Sequence, residues 1–161
     1  MNNGLHATEL LKQEHTQVET LFSRYEALAA DAPERARLLS QIAMALSVHM
    51  RVQEEVFHPA ARAALDAHGR ELLDEAAVEN VSQKYFLIEL ITSHKSDRLF
   101  QARVKVIRKH FRHHVREEEQ RILPLLEASR LDQAALGLQI VACREAMLAA
   151  AAGRVEEQVD D

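Results

Sequence analysis

Histidine and glutamate recur in this 161-residue chain at spacings that a helix would turn into a binding site. In the stretch from His110 through Phe111, Arg112, His113 and His114 to Glu118, closed by Pro124, three groups fall at i, i+4 and i+8. Residues four apart on a helix stand one above the other on the same face. Val104, Ile107, Phe111 and Leu125 run along that side, so two imidazoles and a carboxylate point into a helix–helix core. Burying such groups unpaired costs several kcal/mol. A metal ion would satisfy them, because neutral imidazole and carboxylate are ordinary ligands.

The same phrase occurs 65 residues earlier. His49, Gln53 and Pro59 have the spacing of His114, Glu118 and Pro124, and Glu79-Asn80 maps at the same offset onto Glu14-His15. The chain therefore reads as two helical hairpins of one design. Each carries a polar position on its first helix and a His-xxx-Glu or His-xxx-Gln pair on its second. His15, His49 and His114 each sit on an apolar stripe of a different helix. Taken singly, each suits a satisfied core histidine. Taken with Glu118, the set is hard to satisfy by ordinary hydrogen bonds, and metal binding is the expectation.

The elements that must position these groups are helices. Gly and Pro number four and three, aromatics are 4 %, and hydrophobic residues are 47 % of the chain. That composition suits an all-α protein better than a sheet. Leu11, His15, Val18, Phe22 and Tyr25 mark a first helix, from Leu5 or Thr8 to Ala29. Leu38, Ile42, Ala45, His49, Gln53, Val56 and Ala60 mark a second. Pro59 is expected to kink or end it near Glu55, with His68-Gly69 as its stop. A third runs from Arg70 to Ser93 with Leu73, Ala77, Asn80, Lys84, Leu87 and Ile91 inward. A fourth runs from Asp97 to Ala128. Leu131-Asp132 opens a short fifth, with Leu136, Ile140, Cys143 and Met147 packing down. Short connections predict an up-down-up-down four-helix bundle with a short additional C-terminal helix. Residues 1–152 form the one domain expected at this length, and 153–161 an acidic tail without fixed structure.

The formal charge of −5 disfavours a broad nucleic-acid face. Arg103, Lys105, Arg108, Lys109 and Arg112 are expected on a solvated face answered by Glu117 and Glu119. The acids beside the inward positions, Glu54, Glu55, Glu117 and Glu119, fit such a face as well. The lone Cys143 forms no internal disulfide and fits a reducing cytoplasm. No basic region followed by an apolar run opens the chain, and no 18-residue run is wholly apolar, so neither a leader nor a membrane span is expected. Copies of the chain assembling with one another are compatible with all of this. No Ser-His-Asp or Cys-His arrangement and no phosphate-cradling glycine loop is visible, so a non-catalytic role is expected over an enzyme.

In Leu11-Lys12-Gln13-Glu14-His15, in His49 to Pro59, in Ala77-Val78-Glu79-Asn80 and in His113 to Pro124, the chain resembles the bacterial hemerythrin-like, or HHE cation-binding, domain family. The resemblance covers nearly the whole chain. It implies a four-helix bundle around a non-haem di-iron centre, with His15, His49, His114 and Glu118 as ligands. It further implies dioxygen, nitric oxide, peroxide or iron handling or sensing. Gln53 stands where the family has a bridging glutamate, and Asn80 where it has a histidine. An amide offers one neutral carbonyl oxygen where a carboxylate offers two anionic ones. One iron, zinc or other divalent ion is thus expected in place of two, with Gln53 a weak ligand and His110 a stand-in for the imidazole missing at Asn80. The alternative reading is a metal-free helical interaction or sensory module whose site has decayed. Metal content separates the two.

Overall fold

α1 (Ala7–Ala27) and α2 (Glu34–Val52) form the first hairpin. α2 passes without a break through a π-helical turn (Gln53–Phe57) into α3 (His58–Ala64). α4 (Ala67–Thr92) and α5 (Phe100–Glu117) form the second hairpin. α5 passes through a second π turn (Glu118–Ile122) into α6 (Leu123–Glu127). α7 (Gln133–Val159) follows. This computed structural model describes the backbone of residues 6–159 and the side chains of residues 6–154, with no strand among them. The architecture is a four-helix bundle with α7 laid against α1 and α2. That fifth helix is 27 residues long, not short. The acidic tail expected beyond Gly153 falls partly within it, and residues 160–161 lie outside the described part.

The helix starts have local causes. The backbone N–H of His6 donates to Glu9 Oε2 at 3.3 Å, so His6 and Glu9 open α1. Asp66 caps α4 by accepting from the Gly69 N–H at 2.9 Å. His68-Gly69 therefore lie inside a helix start and do not stop the second helix, which ends at Ala64. Asp132 caps α7 by accepting from the Ala135 N–H at 2.9 Å.

The two π turns govern which residues face inward. In each, an N–H reaches back five residues: His58 to the Gln53 carbonyl, and Leu123 to the Glu118 carbonyl. Each is followed within two residues by proline, whose ring would clash with the carbonyl four residues back in a regular helix. The wider turn makes room and lets the helix continue. It also advances the inward face by one residue. Val56, Ala60 and Leu125, expected inward, are half-buried, while Phe57, Ala61 and Leu126 are buried.

α4 departs from its expected face too. Ala77 and Ile91 are exposed, Lys84 is half-buried, and the buried line is Leu72, Leu73, Ala76, Asn80, Gln83, Leu87 and Leu90. Apolar residues occupy both sides of this helix, so periodicity alone chose poorly between them. The buried apolar residues form two clusters. One is built around Leu11, Val52, Phe57, Leu73, Leu123 and Ile140, the other around Phe22, Ile42, Leu46, Leu90, Val104 and Phe111. The polar residues at positions 15, 49, 53, 80, 114 and 118 lie between them in sequence along every bundle helix, and all six are buried. Within α7, Gln133–Arg154 is long and apolar enough to cross a membrane by length and composition alone.

Candidate metal centre

His15 on α1, His49 on α2, His114 on α5 and Glu118 at the start of the second π turn converge. One ligand atom from each lies within 4.8 Å of all the others, and all four residues are buried. The measured separations are His49 Nε2 to His114 Nε2 at 3.1 Å, His15 Nε2 to Glu118 Oε2 at 2.8 Å and His114 Nε2 to Glu118 Oε2 at 3.5 Å. Two ligands held about 2.1 Å from one ion, at between a right and a tetrahedral angle, lie roughly 3.0–3.4 Å apart. The site has nearly that spacing already.

Each imidazole is turned by a carboxylate behind it. Carboxylates accept, so the ring nitrogens facing them donate. His15 Nδ1 donates to Glu119 Oε1 at 2.8 Å, and His49 Nδ1 to Glu14 Oε2 at 2.8 Å. His114 Nδ1 faces Glu79 Oε2 at 3.7 Å. All three rings therefore present Nε2 to the common centre, the arrangement by which proteins fix metal-binding histidines. Arg144 of α7 backs Glu14 at 3.4 Å. His15 Nε2 and Glu118 Oε2 make no aligned hydrogen bond despite their closeness. Both atoms are buried and have no hydrogen-bond partner, as two donors to one ion would be.

The carboxylates and imidazoles of the cluster shift one another. Burial pulls His114 down, but the Glu118 and Glu79 carboxylates beside it outweigh that and push it up to about 9. Burial likewise pulls His15 down, and Glu118 and Glu119 raise it above its usual value. His49 lies below the ordinary histidine value, chiefly through burial. Burial raises Glu118, yet His114 and His15 hold it well below the usual carboxylate range. The two Nε2 atoms of His49 and His114, 3.1 Å apart, are placed where one cation could take a lone pair from each.

The remaining sequence candidates fall elsewhere. Gln53 adjoins the cluster and donates Nε2–H to Glu118 Oε1 at 2.7 Å, while its Oε1 has no partner. Asn80 is fully buried, and both its side-chain polar atoms lack partners. His110 is not among the convergent groups; it stacks edge-on with Phe86, ring centroids 5.5 Å apart. His113 is exposed and pairs with Glu79 at 2.9 Å. His58, which precedes Pro59, is also outside the convergent group. It is half-buried, with an unpartnered Nε2, and burial lowers it to about 4.

Sequence reasoning missed the orienting carboxylates. Glu119 was assigned to a solvated face, and Glu14 and Glu79 received no role. The signal was present, because Glu14 and Glu79 precede His15 and Asn80 at the same 65-residue offset. Of the basic residues of α5, Lys105, Lys109 and Arg112 lie on the exposed face as expected, and Arg108 does not. Arg108 is buried and binds Glu19, Ser23 and Glu26, and Arg112 binds Glu19, all on α1. Glu117 pairs with Arg121 instead. A groove of about 690 Å³ opens between α1 and α5, and its lining includes His15, Glu119, Phe111 and Arg112.

The Hemerythrin HHE cation binding domain model matches residues 6–126. The fold is similar to the crystal structure of a Hemerythrin HHE cation binding domain-containing protein, an Rv2633c homolog from Mycobacterium kansasii. That likeness has a TM-score of 0.80 and 21 % identity, over 94 % of this chain and 93 % of that one. Among curated protein sequences none matches this chain. With three quarters of its length under that family model and a buried His/Glu group able to hold a metal ion, the chain belongs to the hemerythrin HHE cation-binding domain family.

Proposed function

We propose that this protein is a hemerythrin-type non-haem iron protein that holds one ion with His15, His49, His114 and Glu118. In this reading it handles or senses a small ligand: dioxygen, nitric oxide or peroxide. The observation that carries the reading is the convergence of three Nε2 atoms and one carboxylate oxygen on one buried point, each ring set by its own acid. Imidazole and carboxylate together suit iron, zinc and neighbouring divalent metals. Iron is the choice that agrees with small-ligand chemistry in this family. A bound iron would supply an open coordination position for such a ligand.

The chain's own residues supply the rest. Glu14, Glu79 and Glu119 hold the rings in the tautomer that leaves Nε2 free. Phe111 stands edge-on to His15 and His49 at 6.0 and 5.9 Å between ring centroids and excludes water from that side. The groove between α1 and α5 gives small molecules a way toward His15. Gln53 and Asn80 add no charge, which supports one cation over two.

The test is spectroscopic. Iron-loaded protein, prepared without oxygen, is exposed in turn to dioxygen, nitric oxide and peroxide. A ligand-dependent absorption change that is lost in His114→Ala supports the reading. No change with any of the three contradicts it and favours a helical interaction module with a decayed site.

A further inference from the structure

Four carboxylates of falling exposure line one narrow cleft between α4 and the second π turn. Glu75 is 68 % exposed, Glu117 31 %, Glu79 21 % and Glu118 1 %. The buried ring of His114 lines the same cleft, whose volume of about 10 Å³ is room for about one water molecule. Arg121 ties its two sides together: Nη1 lies 2.5 Å from Glu117 Oε2 and 3.9 Å from Glu75 Oε2. Further in, Glu79 holds His113 through Oε1 at 2.9 Å and faces His114 Nδ1 with Oε2 at 3.7 Å. Acids on two neighbouring helices are by themselves a solvated surface. What distinguishes these is the innermost oxygen. Glu118 Oε2 is buried without a hydrogen-bond partner and stands 3.5 Å from His114 Nε2, so the cleft leads to the convergent ligands.

We propose that this cleft is the route by which a divalent cation reaches the centre, with Glu75 and Glu117 as its mouth, Glu79 as its relay and Arg121 as its latch. The inference rests on the metal reading above. Four carboxylates against one guanidinium give the cleft a negative field, and a narrow cleft of one sign concentrates the counter-ion. Carboxylate oxygens suit divalent cations as ligands, so Glu75, Glu117 and Glu79 can replace the waters that an ion sheds on the way in. Arg121 is half-exposed, and ion pairs of exposed groups are weak, so the latch exchanges readily. The wider groove between α1 and α5 has a different lining. It carries Arg24 and Arg112, and its Glu19 is already bound by Arg108 and Arg112. That opening suits an uncharged small ligand, and the acidic cleft on the other side of the centre suits the cation.

Cobalt(II) uptake by the metal-free protein, followed by stopped-flow visible absorption at several salt concentrations, tests this. Elemental analysis gives the final occupancy. Wild-type uptake should slow as salt rises. Glu75→Gln with Glu117→Gln should load about tenfold more slowly, with a weaker salt dependence, and still end at the wild-type occupancy. Glu34→Gln with Glu145→Gln removes the same charge from exposed positions elsewhere and should load at the wild-type rate. Arg121→Ala should load faster than wild type. A cleft variant that loads at the wild-type rate, or no more slowly than the Glu34 and Glu145 variant, overturns the route. A cleft variant with lower final occupancy makes these acids ligands and overturns it too. Slower loading in Arg121→Ala overturns the latch. A wild-type protein that binds no cobalt at equilibrium contradicts the metal reading itself, and the route falls with it.

Discussion

Gln53 donates its side-chain N–H to Glu118 Oε1 at 2.7 Å, joining two positions that occupy the same place in the two halves of the chain. In a symmetric site this contact would set two carboxylates against each other, which needs positive charge between them. Here one is an amide, and the pair is a neutral-to-charged hydrogen bond that stands without a second cation. The same asymmetry appears opposite His15. Asn80 takes the matching place, and Glu54, the counterpart of Glu119, pairs with Lys84 at 2.6 Å.

Restoring the symmetry should restore the second ion. Gln53→Glu with Asn80→His is expected to raise iron per chain from one toward two. Neither change alone should do so, because groups sharing one site are coupled. Gln53→Glu alone places two carboxylates side by side in a fully buried site and should lower the thermal midpoint of the metal-free protein. Iron stoichiometry and melting curves of wild type, both singles and the double check this. A double variant that binds no more iron than wild type would show that Asn80 and Gln53 do not share a site.

Neighbouring histidines should differ sharply. His114→Ala is expected to abolish metal binding, since it removes one of three convergent Nε2 atoms. His113→Ala and His110→Ala should bind metal about as well as wild type, because one ring is exposed against Glu79 and the other stacks on Phe86. Metal loss in His110→Ala comparable to that in His114→Ala would place a ligand where the structure has an aromatic contact.

The bundle and the four convergent residues were legible because a 3.6-residue period and a 65-residue repeat both leave marks in sequence. His15, Val18 and Phe22 stand on one face by spacing alone. The π turns leave no such mark. A proline after His49 or His114 announces a disturbance, but not whether the helix stops or widens, so Phe57 and Leu126 were displaced by one position. The orienting acids were hidden for another reason. Glu119 is a surface glutamate by composition, and only the approach of α1 makes it a partner of His15. α4 misled because its outer face is apolar too.

Acid should weaken the contact between α1 and α5. Burial pushes Glu19 up, but hydrogen bonds from Arg112 and Arg108 outweigh it and hold its carboxyl below the usual value. A group depressed in this way adds stability above its unfolded value of about 4.3, and that stability is lost as pH falls through the folded value. Glu19→Gln should be less stable than wild type at about pH 7, with the gap closing toward about pH 3. Urea midpoints across that range measure it. A gap that does not change with pH would mean that the arginines contribute nothing through charge.

A helix-filling substitution should fail at one glycine. Gly69 sits in the first turn of α4, where a Cβ would come 2.7 Å from the Leu65 Cβ. Alanine normally gains up to about 1 kcal/mol over glycine in a helix. Here the clash is with an atom next to the backbone, so Gly69→Ala should cost about 1–3 kcal/mol. Chemical denaturation reads the difference, and a stabilised variant would contradict the close approach of the α3–α4 turn.

The most direct measurement of the central claim is metal per chain in the wild-type protein. Protein loaded with ferrous iron under anaerobic conditions and freed of excess is assayed by elemental analysis, beside His49→Ala. The site of His15, His49, His114 and Glu118 predicts one iron per wild-type chain and essentially none in the variant. Two irons per wild-type chain, none, or undiminished iron in His49→Ala would contradict it.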